Sequence, residues 1–274
     1  MIQTILLATA VKGVVVAAAV IGITGLLIAL LLGIAANVFA VPVDEKAVAI
    51  RETLPGANCG GCGYAGCDAL AAAVAAGEAP VNGCPVGGAA VAEKIGAIMG
   101  VSAGDAVKQV AFVKCAGTCD KAGVKANYYG IADCKRAAAI PGKGDKACAY
   151  GCMGFGSCVA ACNFDAIHVE HGVAVVDKEK CVACGKCAEE CPNGLIELIP
   201  YDATKVVSCS NKDKGPKVMS VCEVGCIGCG LCAKQCEFDA ITVENNIAHI
   251  DQSKCTGCGK CAEKCPKKII RDHA

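Results

Sequence analysis

Three observations predict an α+β chain made of three kinds of segment. They are an uncharged apolar run near the N-terminus, 25 cysteines in 274 residues, and an internal repeat in the second half. The run predicts a single N-terminal transmembrane helix. The cysteines predict small domains organised around metal rather than around a large core, and the repeat predicts tandem units. The expected boundaries are residues 1–41 for the anchor, 42–106 for a small α-rich cysteine domain, 107–146 for a cysteine-containing connector, and 147–200 and 201–274 for the two repeat units.

From Gly13 to Val41 no residue is charged, a run of 29 positions rich in Val, Ala, Ile and Leu. A helix crossing the hydrocarbon of a bilayer needs about 20. Val38-Phe39-Ala40 has the small residues of a signal-peptide cleavage site, but the run far exceeds the roughly 7–15 apolar residues of a signal core and lacks a basic leader. The expectation is a single-pass anchor in the bilayer of the cell inner (cytoplasmic) membrane. Lys12 against Lys46 and Arg51 is too weak a charge bias to orient it.

A cysteine content this high marks either a disulfide scaffold or a metal–thiolate protein. Most of these cysteines fall in or near C-x2-C-x2-C-x3-C runs, the spacing that holds iron–sulfur clusters. Thiolates that hold iron must stay reduced, which places the cysteine-bearing part on the cytoplasmic side. Trp is absent and aromatics make up 4%. Such domains manage without an aromatic core because metal–ligand bonds replace much of the packing.

The segment Leu54–Gly88 carries Cys59, Cys62, Cys67 and Cys84 as C-x2-C-x4-C-x16-C. Zinc sites usually pair two C-x2-C knuckles, whereas here three thiols cluster and a single distant one closes the site. A [4Fe–4S] cluster is the expectation. The Ala-rich stretch Asp68–Glu78 reads as the helix that returns the chain, and Ala89–Val101 as a second helix packed on it.

The repeat has an offset of 74 residues. ACAYGCMGFGSCVAACNFDAI at Ala147–Ile167 matches VCEVGCIGCGLCAKQCEFDAI at Val221–Ile241, and KCVACGKCAEECP at Lys180–Pro192 matches KCTGCGKCAEKCP at Lys254–Pro266. Each copy reads as a bacterial-type two-cluster ferredoxin unit, in which the fourth Cys of each run serves the other cluster. Strand pairs at Ile167–Val169 with Val173–Val176, and at Ile241–Val243 with Ile247–Ile250, join the runs. The second unit has two complete sets: Cys226, Cys229, Cys232 and Cys265, then Cys236, Cys255, Cys258 and Cys261. The first unit has one, Cys162, Cys181, Cys184 and Cys187. Its other site has Cys152, Cys158 and Cys191, with Phe155 where the second copy has Cys229. Three outcomes stay open there: Cys148 completes the site, a three-iron or irregular cluster forms, or nothing binds.

Cys115, Cys119, Cys134, Cys209 and Cys222 remain. Val113-Lys114-Cys115 resembles Val207-Ser208-Cys209, so Cys115 corresponds to Cys209 and Cys148 to Cys222. The pair in the second copy reads as surplus thiols of structural origin. In the first copy, Cys115, Cys119, Cys134 and Cys148 form a candidate further site, giving five expected clusters with room for a sixth. His168, His171, His249 and His273 fall outside any ligand spacing.

Net charge is zero, with eight basic and three acidic residues from Lys108 to Lys146 and six against two from Lys254 onward. Patches this modest read first as solvated surface, with partner docking the alternative, and no nucleic acid is expected. No glycine-rich dinucleotide fingerprint follows a strand and there is no P-loop, so no catalytic residue is expected in this chain.

The anchor, followed by LPGANCGGCGYAGC and then ferredoxin repeats, resembles the B subunits of the Rnf complex, the ion-translocating ferredoxin–NAD+ oxidoreductase. The resemblance covers the whole chain. It implies an electron carrier that accepts electrons from reduced ferredoxin and relays them to other membrane subunits of a translocase, where the flavin and nucleotide chemistry belongs. The alternative is a membrane polyferredoxin serving a hydrogenase or dehydrogenase. Lys264, Lys267 and Lys268 in the basic tail are the expected docking residues for ferredoxin. A zinc or metal-storage scaffold does not account for the regular runs.

Overall fold

The computed structural model describes residues 18–35, 44–104 and 107–273. The chain divides at Glu45–Lys46 into two units. In the first, Ala18–Ala35 forms helix α1, with a mean hydropathy of 2.6 and no part of it buried by the protein. Leu26 and Leu32 are 68% and 65% exposed, as are their apolar neighbours to similar degree. It is long and apolar enough to cross a membrane. The ends of the apolar run, residues 13–17 and 36–41, lie outside the described residues.

The second unit opens with α2 (Glu45–Thr53), α3 (Cys67–Ala75) and α4 (Gly88–Met99). Ile50, Leu70, Val74 and Ile95 are almost fully buried and close a small helical core. Gly100 ends α4 in the left-handed conformation, a common glycine stop. The two helices expected from Asp68–Glu78 and Ala89–Val101 are thus both present as α3 and α4.

Two copies of one small scaffold follow. In the first, β1 (Gln109–Val113) pairs antiparallel with β4 (Ile196–Pro200), Ala111 opposite Leu198, and β2 (Ile167–Glu170) forms a hairpin with β3 (Val173–Val176). In the second, β5 (Lys205–Val207) pairs with β8 (Ile270–Asp272), and β6 (Ile241–Glu244) with β7 (Ile247–Ile250). One finding departs from the sequence expectation. Strand β1 lies in the stretch read as a connector, yet it pairs with the last strand of the first copy. Residues 114–146 are therefore a long loop inside that copy, and they carry α5 (Cys134–Ala139).

Four short helices carry the cysteine runs: α6 (Ser157–Ala160), α7 (Lys186–Glu190), α9 (Leu231–Gln235) and α10 (Lys260–Lys264). Each follows a glycine at positive φ, Gly156, Gly185, Gly230 and Gly259, which turns the thiol loop into the helix. Helices this short do not hold by themselves in water. Within the second copy, the loop after β5 carries α8 (Gly215–Val221), with a proline in its first turn. The cores of the copies mix aliphatic residues with thiols: Ala111, Ile167, Leu195 and Ile196 with Cys158 and Cys187 in the first, and Val207, Ile241, Ile269 and Ile270 with Cys209, Cys226, Cys232 and Cys261 in the second.

The helical domain packs on the first copy through its thiol loop. A Cβ on Gly61 would stand 2.5 Å from the Cys184 carbonyl oxygen, so only glycine permits this backbone approach.

Candidate metal centres

All 25 cysteines are free thiols. Among the described residues, no three His, Cys, Asp or Glu side chains converge closely enough to hold a single ion. Zinc would need four sulfurs at about 2.3 Å from one point. Sixteen of the thiols instead line four cavities, four thiols in each, the arrangement a four-iron cube with four cysteine ligands requires.

In the helical domain, Cys67 opens α3, and its N–H donates to the Asn58 side-chain oxygen at 2.9 Å. Cys62 and Cys84 pack against the same core. Burial pushes the Cys84 thiol up, and the nearby Cys67 and Cys62 add to this, while the Gly87 N–H donates to its sulfur at 3.3 Å. Cys59, the fourth of the set, lies near enough to Cys184 for their charges to interact.

Cys162, Cys181, Cys184 and Cys187 line one cavity of the first copy. Strand β1 forms part of its wall, and the Ala111 N–H donates to Cys181 Sγ at 3.4 Å. Burial raises the Cys187 thiol to about 11. In the second copy, Cys226, Cys229, Cys232 and Cys265 line a cavity at the place that corresponds to the Phe155 site of the first. Cys261 lies beside Cys255 and Cys258, and Cys236 packs on the same core.

At the site with Phe155 a thiol other than Cys148 stands beside the three expected ones. The cavity is lined by Cys152, Cys158, Cys191 and Cys134. Cys134 is the first residue of α5, and two bonds dock that helix here. Its N–H donates to Ser157 Oγ at 2.7 Å, and the Ser157 hydroxyl donates to Asp133 at 2.9 Å. Burial pushes the Cys158 thiol up to about 12, with Cys152 and Cys134 contributing. Phe155 packs against Tyr128, ring centroids 5.0 Å apart. Cys148, expected to complete this set, lines another cavity.

That cavity also corrects the expected grouping of Cys115, Cys119, Cys134 and Cys148. It brings Cys115 and Cys148 of the first copy together with Cys209 and Cys222 of the second. Cys119 is exposed, its N–H donating to the His171 carbonyl at the β2–β3 turn. No ligand spacing places Cys134. The available signal was that the copy lacking a cysteine at position 155 is the one whose loop carries an extra cysteine.

Residues 54–86 match the Fe-S cluster family, 174–197 the 4Fe-4S binding domain and 225–269 the 4Fe-4S dicluster domain. Over 86% of its length the chain is 52% identical to the B subunit of the Na+-translocating ferredoxin:NAD+ oxidoreductase complex of Acetobacterium woodii, covering 71% of that protein. It is 44% identical over 92% of its length to the B subunit of the ion-translocating oxidoreductase complex of Methanosarcina acetivorans, covering 96% of it. The chain belongs to the family of Rnf complex B subunits. A further member, from Clostridium ljungdahlii, is 43% identical over 85% of the chain and 83% of its own length, and is named for proton translocation. Rnf B subunits this similar to the chain thus carry names with different ions, and the matched domains make this one a 4Fe-4S iron–sulfur protein.

Proposed function

We propose that the chain is the multi-cluster electron relay of a membrane-bound, ion-translocating ferredoxin–NAD+ oxidoreductase. In this reading it takes electrons from reduced ferredoxin at its second copy and delivers them through the helical domain to other membrane subunits. One observation carries the reading: thiols of one cavity adjoin thiols of the next. Cys59 faces Cys184, and Cys158 interacts with Cys187. When bound, a [4Fe–4S] cluster accepts and returns a single electron at a potential set by its hydrogen bonds and exposure. The residues that set these are the Cys, the backbone N–H donors to their sulfurs, and the packed walls that exclude water. Helix α1 is the anchor in this reading, with the thiol-bearing unit in the cytoplasm. Removing Met1–Ala40 is expected to give a soluble protein with undiminished iron, since every thiol follows Pro55. Loss of iron on that deletion, measured by elemental analysis, would count against an anchor that supplies no ligand.

Exposure favours the second copy as the docking face. Cys229 and Cys258 are exposed, whereas the grouped thiols of the first copy are buried or half-buried. The basic tail is better placed than the middle stretch. Lys114 and Lys135 are engaged by Glu197 and Glu190, and Lys146 is buried. Lys264 and Lys268 are exposed and make no ion pair among the described residues, and Lys267 donates to the Glu223 carbonyl at 2.9 Å. Encounters of this kind are steered by charge. Changing Lys264, Lys267 and Lys268 to Glu is expected to slow electron uptake from ferredoxin and to flatten its dependence on ionic strength at constant iron. Stopped-flow measurement decides it: unchanged uptake here, with collapse on reversing Lys135, Arg136 and Lys143, places docking on the middle stretch.

A further inference from the structure

Four thiols that belong to no ferredoxin run share one cavity between the two copies, two from each copy. We infer that Cys115, Cys148, Cys209 and Cys222 hold a further [4Fe–4S] cluster that bridges the copies. The inference rests on the electron-relay reading for its purpose, but its ligand set stands on geometry alone.

The cavity is pseudo-symmetric, as a shared site should be. The Cys152 N–H donates to Cys115 Sγ at 3.3 Å, and the Cys226 N–H donates to Cys209 Sγ at the same distance. Cys148 takes the N–H of Tyr150, and Cys222 that of Val224, two residues on in each case. Asn211 is 2% exposed and aims its side-chain amide at Cys148 Sγ at 3.4 Å. Hydrogen bonds to cysteine sulfur are among the features that set a cluster's potential. The two copies are laced together beside the site, Ala122 bridging to Cys222 and the Gly123 N–H donating to the Val221 carbonyl at 2.9 Å.

Charge and space agree. Lys146 is 5% exposed, lines the cavity and makes no salt bridge among the described residues; its ammonium donates to the carbonyls of Gly117 and Gly172 at 2.9 and 2.6 Å. A buried cation without a carboxylate needs other negative charge nearby, and four iron-bound thiolates supply it. Gly117 and Gly151 line the cavity. A Cβ on Gly117 would stand 3.5 Å from Cys222 Sγ and 3.7 Å from Cys115 Sγ, and one on Gly151 3.4 Å from Cys148 Sγ. The site also lies where a relay needs it. Cys115 touches Cys152 of the first copy's cavity and Cys209 touches Cys226 of the second's. Across the copies, Cys115 lies near enough to both Cys209 and Cys222 for their charges to interact.

The test uses the full chain, purified without oxygen. Six four-iron clusters give about 24 iron and 24 sulfide per chain, and changing Cys115 and Cys222 to Ser is expected to reduce each to about 20. Electrons supplied by ferredoxin should then reach the second copy normally and the first copy slowly, read as separate EPR signals after rapid freezing. About 20 iron in the unaltered chain, zinc lost with the substitution, or a disulfide within the four thiols would overturn the bridge. If the variant does not fold, iron-edge anomalous density in the unaltered chain answers the same question by its presence or absence in this cavity. Failure of ferredoxin to reduce any cluster, with about 24 iron present, would sink the relay and leave the site.

Discussion

Removing iron from the chain under reducing conditions unfolds both strand-bearing copies while the helical domain keeps much of its helix. This is the largest effect expected. In the core of the second copy four of the ten buried residues are thiols, and the rest are Val207, Ile241, Ala248, Ile269 and Ile270 with Ala116 reaching in from the first copy. A fully buried aliphatic side chain contributes about 1.5–3 kcal/mol, and a core in a unit of roughly 70 residues comes out near zero net against chain entropy. Removing iron also leaves buried thiols such as Cys209 and Cys232, both raised to about 11 by burial, as protonated groups with no metal to organise them. The two-stranded sheets and one-turn helices have no other support. The helical domain differs, because only Cys67 is a thiol among its nine buried core residues, and Ile50, Leu70, Val74 and Ile95 fill most of that core. Chelation followed by circular dichroism should show strand loss exceeding helix loss. Spectra unchanged after complete removal of iron would mean that packing alone holds the copies.

The second large effect concerns Cys134. Changing it to Ser is expected to convert one ordinary cluster into a three-iron form, seen as a new EPR signal in the oxidised protein and a loss of about one iron. Cys152, Cys158 and Cys191 remain to hold such a form, and the hydroxyl at position 134 is a poor substitute for a thiolate. Phe155→Cys by itself should leave iron unchanged, because the cavity already has four thiols. The contrary result is plain: an unaltered spectrum in Cys134→Ser together with loss of a cluster in Cys148→Ser would restore Cys148 to this site.

Much of this arrangement could be read from the sequence because ligand spacing is local. The runs at Cys181–Cys187 and Cys226–Cys232, the hairpins between them and the helices α3 and α4 follow from residues a few positions apart. What escaped depends on long-range contacts. Strand β1 carries no mark of pairing with a strand more than eighty residues on, so its stretch read as a connector. Cys134 reaches its cavity only because Asp133 and Ser157 dock α5, and no spacing rule encodes that bond. The correspondence of Cys115 with Cys209 and Cys148 with Cys222 was visible, but a repeat says which residues are equivalent and not that equivalent residues meet.

Rapid mixing of the oxidised full chain, in detergent and without oxygen, with prereduced ferredoxin tests the relay most directly. EPR of samples frozen at successive times should show reduced clusters in the second copy first and several electrons per chain at completion. A chain that stays oxidised beside reduced ferredoxin, yet is reduced by a small chemical reductant, would show that its clusters are not a path for ferredoxin electrons.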